Sequence, residues 1–458
     1  MDYYPLLQPM RAYFTSGKTL PFEFRKEQLR KLRDWIMANT ARIDQALYAD
    51  LHKSSAESWA TETGLVLMEI NTALKHLQSW MKPEKVSTNA VNLPSTSIIH
   101  KDPLGTVLII APWNYPFQLL ILPLAGAIAA GNCVVLKPSE VAPATMTLIS
   151  SMINELFPAE YIRVVEGDGA QVIPPMMNSF RFDHVFYTGS IPVGKIIYQS
   201  AAKDLVPVTL ELGGKSPAIV EADAKLDIAA RRITLGKFVN AGQTCIAPDY
   251  VLVHESKKEA FISQMKKAIE SFYTTDPSTS ADYGRIINAK RFDALSTYLK
   301  QGTVVYGGTS DRDNLYFSPT LITDVPADAS VMHDEIFGPV LPIISFNKRE
   351  EAVSVINSNP NPLAFYLFTE DTELKKQWIS STSFGGGCIN NAAWHFANHH
   401  LPFGGVGNSG IGAYHGRNSF DVFSRRKSVM ETPTWMDPSV KYPPYKNKMK
   451  LLKMFIGK

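Results

Sequence analysis

The stretch Gly105-Thr-Val-Leu-Ile-Ile110, followed after a helix-length interval by Gly131-Asn-Cys-Val-Val-Leu136, decides the fold. Each is an apolar run too short for a helix and lacks the alternation of a strand with one wet face. The pattern recurs at residues 162–165, 185–187 and 208–212, and segments such as 142–156 and 192–202 are long enough for helices between them. Buried strands joined by helical crossovers predict a parallel sheet covered on both faces, a doubly wound α/β domain. Such sheets bind ligands at the carboxyl ends of their strands.

Working outward, Leu29, Leu32 and Ile36 share one helical face, as do Ile43, Leu47 and Leu51, so the first eighty residues read as helices packed on a larger body. Residues 86–97 are rich in Ser, Thr and Asn without helical period, which suits a linker or an exposed hairpin. Beyond residue 213 a second alternation begins. Residues 218–220, 250–253, 340–345, 364–368 and 387–389 read as strands, and 228–239, 257–271 and 289–299 as helices, so a second α/β domain is expected. Residues 421–429 have strand character and are set to pair with 86–97.

Composition removes several classes. With 45% hydrophobic residues, the 458-residue chain has ample apolar surface to offset the entropy of ordering. A formal charge of +3 offers no concentrated basic surface for nucleic acid. Three cysteines are too few and too odd for a disulfide framework, which fits a reducing compartment. The opening MDYYPLLQPMR lacks the pattern of a secretory signal. Residues 119–131 fall short of the roughly 18 needed to span a bilayer and contain Pro123 and Gly126. A buried helix and a cytoplasmic protein are expected.

Five motifs carry chemistry. In Gly242-Gln-Thr-Cys245 the cysteine follows a helical stretch among small and polar residues, placed for access; the alternative is a buried small hydrophobe, the reading given to Cys133 and Cys388. Glu211 ends an apolar strand immediately before two glycines, which suits a general base, although an isolated Glu is more often a surface charge. Tyr187-Thr-Gly-Ser-Ile-Pro-Val-Gly194 runs from a strand into a helix whose N-terminal donors can hold a pyrophosphate, but its spacing departs from G-x-G-x-x-G. Residues 167–172, closer to that form, lack its third glycine and read as a turn. Lys137 and Glu140 stand at a strand end and either grip ribose hydroxyls or line a solvated turn. Asn114, in Ala111-Pro-Trp-Asn-Tyr-Pro116, is either an oxyanion donor or part of a tight turn. His395, His399 and His400 lack the partners of a zinc site, so no metal is expected.

Together the chain carries, in order, APWNYP, GNCVVLKPSE, YTGSIPVGK, LELGGKSP, NAGQTC, DEIFGPV and LPFGGVGNSGIG, and over residues 10–435 it resembles the aldehyde dehydrogenase superfamily. The short amino terminus, Tyr115 and the YPP-containing basic tail resemble the class 3-like branch. The resemblance implies oxidation of aldehydes to carboxylic acids, with Cys245 as nucleophile, Asn114 and the Cys245 N–H as oxyanion donors, and Glu211 activating the hydrolytic water. It implies cofactor contacts at Lys137, Glu140, Gly189, Ser190, Gly194, Glu335 and Phe337, with NAD as cofactor and NADP accepted. It also implies a modified Rossmann cofactor domain (1–80 and 100–212), a catalytic domain (213–416), a bridging hairpin for a homodimer (81–99 and 417–435) and a basic tail (436–458).

Glu211 argues against a CoA-acylating relative, in which thiolysis replaces hydrolysis. A cofactor-free cysteine esterase would leave three motifs without purpose, and intact Cys245, Glu211 and Asn114 argue against a silent structural protein. Tyr115, with Trp394 and His395, is placed to line an apolar entrance for medium- or long-chain aliphatic or aromatic aldehydes. In the tail, Met449, Leu451, Leu452, Phe455 and Ile456 oppose Lys446, Lys450 and Lys453, a pattern for docking on protein or, alternatively, for peripheral contact with an anionic membrane.

Overall fold

In the computed structural model, which describes residues 2–456, the apolar runs lie side by side in one sheet. Its order is Gly410–Ile411, Val208–Glu211, His184–Thr188, Thr106–Ile110, Cys133–Lys137, Ile162–Val164. The last five are parallel, and every residue of the three central strands is buried, which is why they lack alternation. The helix Gln118–Ala130 is buried all round and therefore shows no amphipathic period. It stops at Gly131, whose left-handed backbone (φ 93°) lets its N–H reach the carbonyls of Ala127 and Ile128.

The amino-terminal helices pack onto this layer. Phe22–Ala38 and Gly64–Met81 lie against Gln118–Ala130, and Thr40–Leu51 lies against Pro143–Leu156. Asp50 fixes the second contact: its carboxylate accepts the Ala144 and Thr145 N–H groups (3.0 and 2.8 Å) and the Thr145 hydroxyl (2.7 Å), capping that helix from another element.

A second sheet of seven strands has the order Thr303–Tyr306, Thr320–Thr323, Val340–Phe346, Tyr250–His254, Pro217–Val220, Ala364–Phe368, Gly386–Ile389. All pairings are parallel except that of Thr303–Tyr306, an antiparallel edge. The two strands of this sheet missed by pattern reading are four residues each, and the first is half exposed.

A third, three-stranded sheet joins Glu84–Val86, Thr96–Pro103 and Ser424–Glu431. Only the ends of the Ser/Thr-rich stretch 86–97 pair, Val86 opposite Ser97 and Thr96 and Ser97 opposite Glu431 and Met430. Residues 87–95 form a loop, and the β-branched run from Thr96 carries the ladder, from Thr96 opposite Glu431 to Pro103 opposite Ser424. Nor does the chain change body at residue 416. Gly410–Ile411 already pairs with the first sheet, and Arg417–Val422 is a helix lying on Gln118–Ala130, close enough that a Cβ on Gly126 would meet the Ser419 Cβ at 2.7 Å.

Among the described residues no helix is long and apolar enough to cross a membrane. The tail forms a seven-residue helix, Met449–Phe455, with Met449, Leu451, Met454 and Ile456 exposed. The side chain of Phe455 and residues 457–458, which belong to the amphipathic reading, lie outside the described residues.

Candidate active site

Two loops from different sheets meet at one cavity. From the second body, the helix Leu226–Phe238 gives way to Asn240, Ala241 and Gly242, all left-handed at φ 53°, 50° and 76°. Glycine is required at 242, because a Cβ there would lie 2.3 Å from the Gly338 carbonyl oxygen. Gln243 anchors the loop: its amide donates to the Asn240 and Arg285 carbonyls (3.0 and 2.9 Å) and accepts from the Ile287 N–H (2.9 Å). Cys245, partly exposed, follows.

From the first sheet, the turn after Thr106–Ile110 brings Asn114 and Tyr115. The Asn114 amide donates to the Gln243 carbonyl at 3.0 Å, and the Asn114 carbonyl accepts from the Asn240 amide at 2.7 Å. Tyr115 Oη lies 2.6 Å from Thr244 Oγ1. An amide NH2 has two hydrogens, so Asn114 keeps one for a ligand oxygen.

Glu211 ends the strand Val208–Glu211 facing the same cavity as Cys245. It is buried, neither carboxylate oxygen has a partner, and burial holds its pKa well above the usual carboxylate range. Glu335 is pushed up to about 8, chiefly by burial and then by nearby Asp249. It accepts the Gly214 N–H through one oxygen, while Oε1 has no partner. Burial raises the Cys245 thiol as well, and the charges of Glu335 and Glu211 push it in the same direction.

The loop bearing Glu335 and Phe337 is pinned from below. Buried Lys215, ion-paired with Asp249, donates to the Val331 and Asp334 carbonyls (both 2.8 Å), and Asp249 Oδ1 accepts the Ile336 N–H at 3.0 Å. Phe337, left-handed at φ 47°, sets its ring edge-to-face with Trp113 at 5.3 Å. Lys237, fully buried with no hydrogen-bond partner, has its ammonium lowered to about 8 by burial. Pattern reading passed over Lys215, Lys237 and Asp249 because ordinary motif positions do not reveal burial.

A second group lies at the carboxyl ends of the first sheet. Lys137 Nζ donates to Glu140 Oε2 (2.8 Å) and to the Pro138 carbonyl (2.7 Å). Glu140 Oε1 accepts the Gly169 N–H at 3.1 Å. Burial alone would raise the Glu140 pKa, but these donors outweigh it and hold it below the ordinary value. Residues 167–172 are thus not merely a turn: Asp168 caps the helix Gly169–Ser179 through the N–H groups of Ala170 and Gln171. Ser190 precedes the helix Ile191–Ala202 with its side chain uncommitted, leaving that N-terminus open. Gly194 allows this helix to close on the chain just after Glu211, since a Cβ would meet Leu212 Cδ2 at 2.6 Å. Uncommitted helix donors, carboxylates at strand ends and the free Glu335 oxygen fit a dinucleotide's pyrophosphate and riboses.

The cavity measures about 380 Å³, and Tyr115, Leu119, Trp394, Phe396 and Phe403 give it apolar walls beside Cys245 and Glu211. His395 is not part of the lining. It stacks on Phe403 at 6.0 Å between centroids, with Nδ1 3.7 Å from Cys388 Sγ. Among the described residues no group of His, Cys, Asp and Glu is arranged to hold a metal.

Residues 5–429 match the model of the aldehyde dehydrogenase family. The chain is 48% identical to the 4,4'-diaponeurosporen-aldehyde dehydrogenase of Staphylococcus aureus over 97% of each chain. It is 44% identical to the dimeric, NADP-preferring aldehyde dehydrogenase of Canis lupus familiaris, over 97% of this chain and 98% of the relative. A Staphylococcus aureus AldH structure in its substrate-bound state superposes with a TM-score of 0.98 at 47% identity, covering 100% of both chains.

The upward shift of the Cys245 thiol has a measurable sign. Thiolate is the reactive form, and an ordinary thiol titrates near about 8.5, so alkylation of Cys245 by iodoacetamide in the cofactor-free protein is expected to keep rising beyond about pH 9. Peptide mass spectrometry against pH checks this, and a plateau already reached at pH 7 would contradict it.

Proposed function

This chain belongs to the aldehyde dehydrogenase family and oxidises aldehydes to carboxylic acids with NAD or NADP, and from that premise we propose the role of each residue. Cys245 gives up its thiol proton to solvent water and attacks the aldehyde carbon as the thiolate, forming the anion of a thiohemiacetal. The free hydrogen of the Asn114 amide and the Cys245 N–H stabilise the oxyanion. When bound, NAD or NADP would supply the hydride acceptor, and loss of hydride from the anion on Cys245 would leave a thioester there. Glu211 takes a proton from water, the resulting hydroxide displaces the thiolate, and the carboxylic acid departs. The observation that carries this reading is a buried carboxylate without partners opening on the same cavity as the cysteine. A carboxylate whose basicity is raised by burial is suited to general-base work.

We assign the cofactor to the carboxyl ends of the first sheet, with the helix after Ser190 at the phosphates, Lys137 and Glu140 at the adenosine ribose, and Glu335 and Phe337 at the nicotinamide end. The second sheet supplies the catalytic cysteine. Glu140 favours a free ribose 2′-hydroxyl, yet its paired Lys137 tempers repulsion of a 2′-phosphate, so NAD is preferred and NADP accepted. The exposed strand Ser424–Glu431 is assigned to a homodimer interface, a state that the name of the canine relative also carries. The protein is assigned to the cytoplasm, and its tail to docking on protein rather than on a membrane surface.

Cys245→Ala is expected to abolish turnover. Glu211→Gln is expected to lower it at least a hundredfold while leaving an acyl adduct on Cys245 visible by intact-mass spectrometry; full turnover by either variant removes that residue's assignment. Apolar walls favour longer aldehydes, and since a buried methylene is worth about 0.8 kcal/mol, kcat/KM should rise about fourfold per methylene until the cavity is full. A flat series from propanal to octanal would exclude this preference. Vesicles of anionic lipid should sediment the full chain and a form lacking residues 441–458 equally; loss of sedimentation in the shortened form would instead assign the tail to the membrane.

A further inference from the structure

The connector between the helices Thr40–Leu51 and Gly64–Met81 turns three charged side chains inward, and none lies in a motif used so far. Lys53 and Glu62 are fully buried and form an ion pair of 2.5 Å. Glu62 sits in a single wide turn, the π-helix Trp59–Thr63, a form that recurs at functional positions.

Their remaining bonds all go to the turn that carries Asn114. Lys53 Nζ donates to the Asn114 carbonyl at 3.0 Å and lies 3.9 Å from the centre of the Tyr115 ring. Glu62 Oε2 accepts the N–H groups of Phe117 and Gln118 at 2.9 and 3.1 Å, where the helix Gln118–Ala130 begins. The turn is therefore held at Asn114 itself and again at Phe117 and Gln118, where it runs into the helix. The same connector reaches the opposing loop, since Glu57 Oε1 accepts the Asn240 N–H at 2.8 Å.

A buried ion pair is often no more stabilising than apolar residues of equal volume, whereas its bonds are directional. Here they end on the backbone of one residue and its neighbours. We propose that Lys53 and Glu62 are positioning residues that orient Asn114 toward the aldehyde oxygen, an inference that rests on Asn114 being the oxyanion donor. Displacing such a donor by 1 Å can cost on the order of a hundredfold in rate.

The test compares Lys53→Met/Glu62→Gln, which removes both charges together, with Glu62→Gln, Asn114→Ala and the triple variant. Readouts are the thermal midpoint, the NAD dissociation constant and the single-turnover rate of NADH formation from a saturating aldehyde. The double variant is expected to fold and bind NAD within about twofold of the parent, while hydride transfer slows about 10–100-fold. In the Asn114→Ala background the same two substitutions should cost less than about twofold more, because they act through Asn114. A folded double variant with the parent rate overturns the proposal, as does a full additional loss in the triple variant. Failure of both the double variant and Glu62→Gln to fold also overturns it, in favour of a purely structural pair. Parent-like activity of Asn114→Ala would overturn the assignment of Asn114 itself, a separate outcome.

Discussion

The site exists only while two loops from different sheets stay within hydrogen-bond reach of each other. That constraint is met by three contacts: the Asn114 amide to the Gln243 carbonyl, the Asn240 amide to the Asn114 carbonyl, and Tyr115 to Thr244. Each joins the first sheet's turn to the loop ending in Cys245, so that loop and the Asn114 turn form one unit. Gly242, pressed against the Gly338 carbonyl, adds the loop of Glu335 and Phe337 to that unit. The Lys215–Asp249 pair holds the same loop from beneath.

This unit carries an unusual electrostatic load. Among the described residues Glu211 has no partner for either oxygen and Glu335 has one free oxygen, both close enough to Cys245 to act on its thiol, and buried Lys237 has no hydrogen-bond partner. Groups desolvated without partners weaken a fold, by roughly 1–3 kcal/mol or more for each unmet polar group. The expense is concentrated where chemistry needs it, while the sheets that carry the loops are apolar and fully buried.

Most of the architecture was legible in the chain because buried parallel strands write themselves as short apolar runs. The five parallel strands of the first sheet and five of the second could be read this way. What escaped were elements whose pattern is set by partners. Gly410–Ile411 is two residues long and exists by pairing with Leu210 and Glu211. Cys245 and Glu211, singled out by their motifs, line one cavity, and Asn114 bonds the loop that leads to Cys245 without lining the cavity itself. Lys53, Glu57 and Glu62 were not singled out, because charges on a short connector look like a solvated surface; only the packing of the connector against the Asn114 turn turns them inward. His395 was misplaced for the converse reason, since an aromatic near the entrance need not face it.

The threading of the chain has a consequence for how the protein is made. The first sheet begins near residue 106, yet its edge is completed by Gly410–Ile411, and the strand Thr96–Pro103 finds its long partner only in Ser424–Glu431. Ser95 and Thr432, bonded at 2.8 Å, are 337 residues apart. During synthesis the first sheet therefore emerges with an open β edge, and almost the whole polypeptide must be made before that edge is covered. Contacts of such long range are slow to form and leave aggregation-prone surface in the interval. The edges of both sheets thus stay open until residues 410–431 have been made.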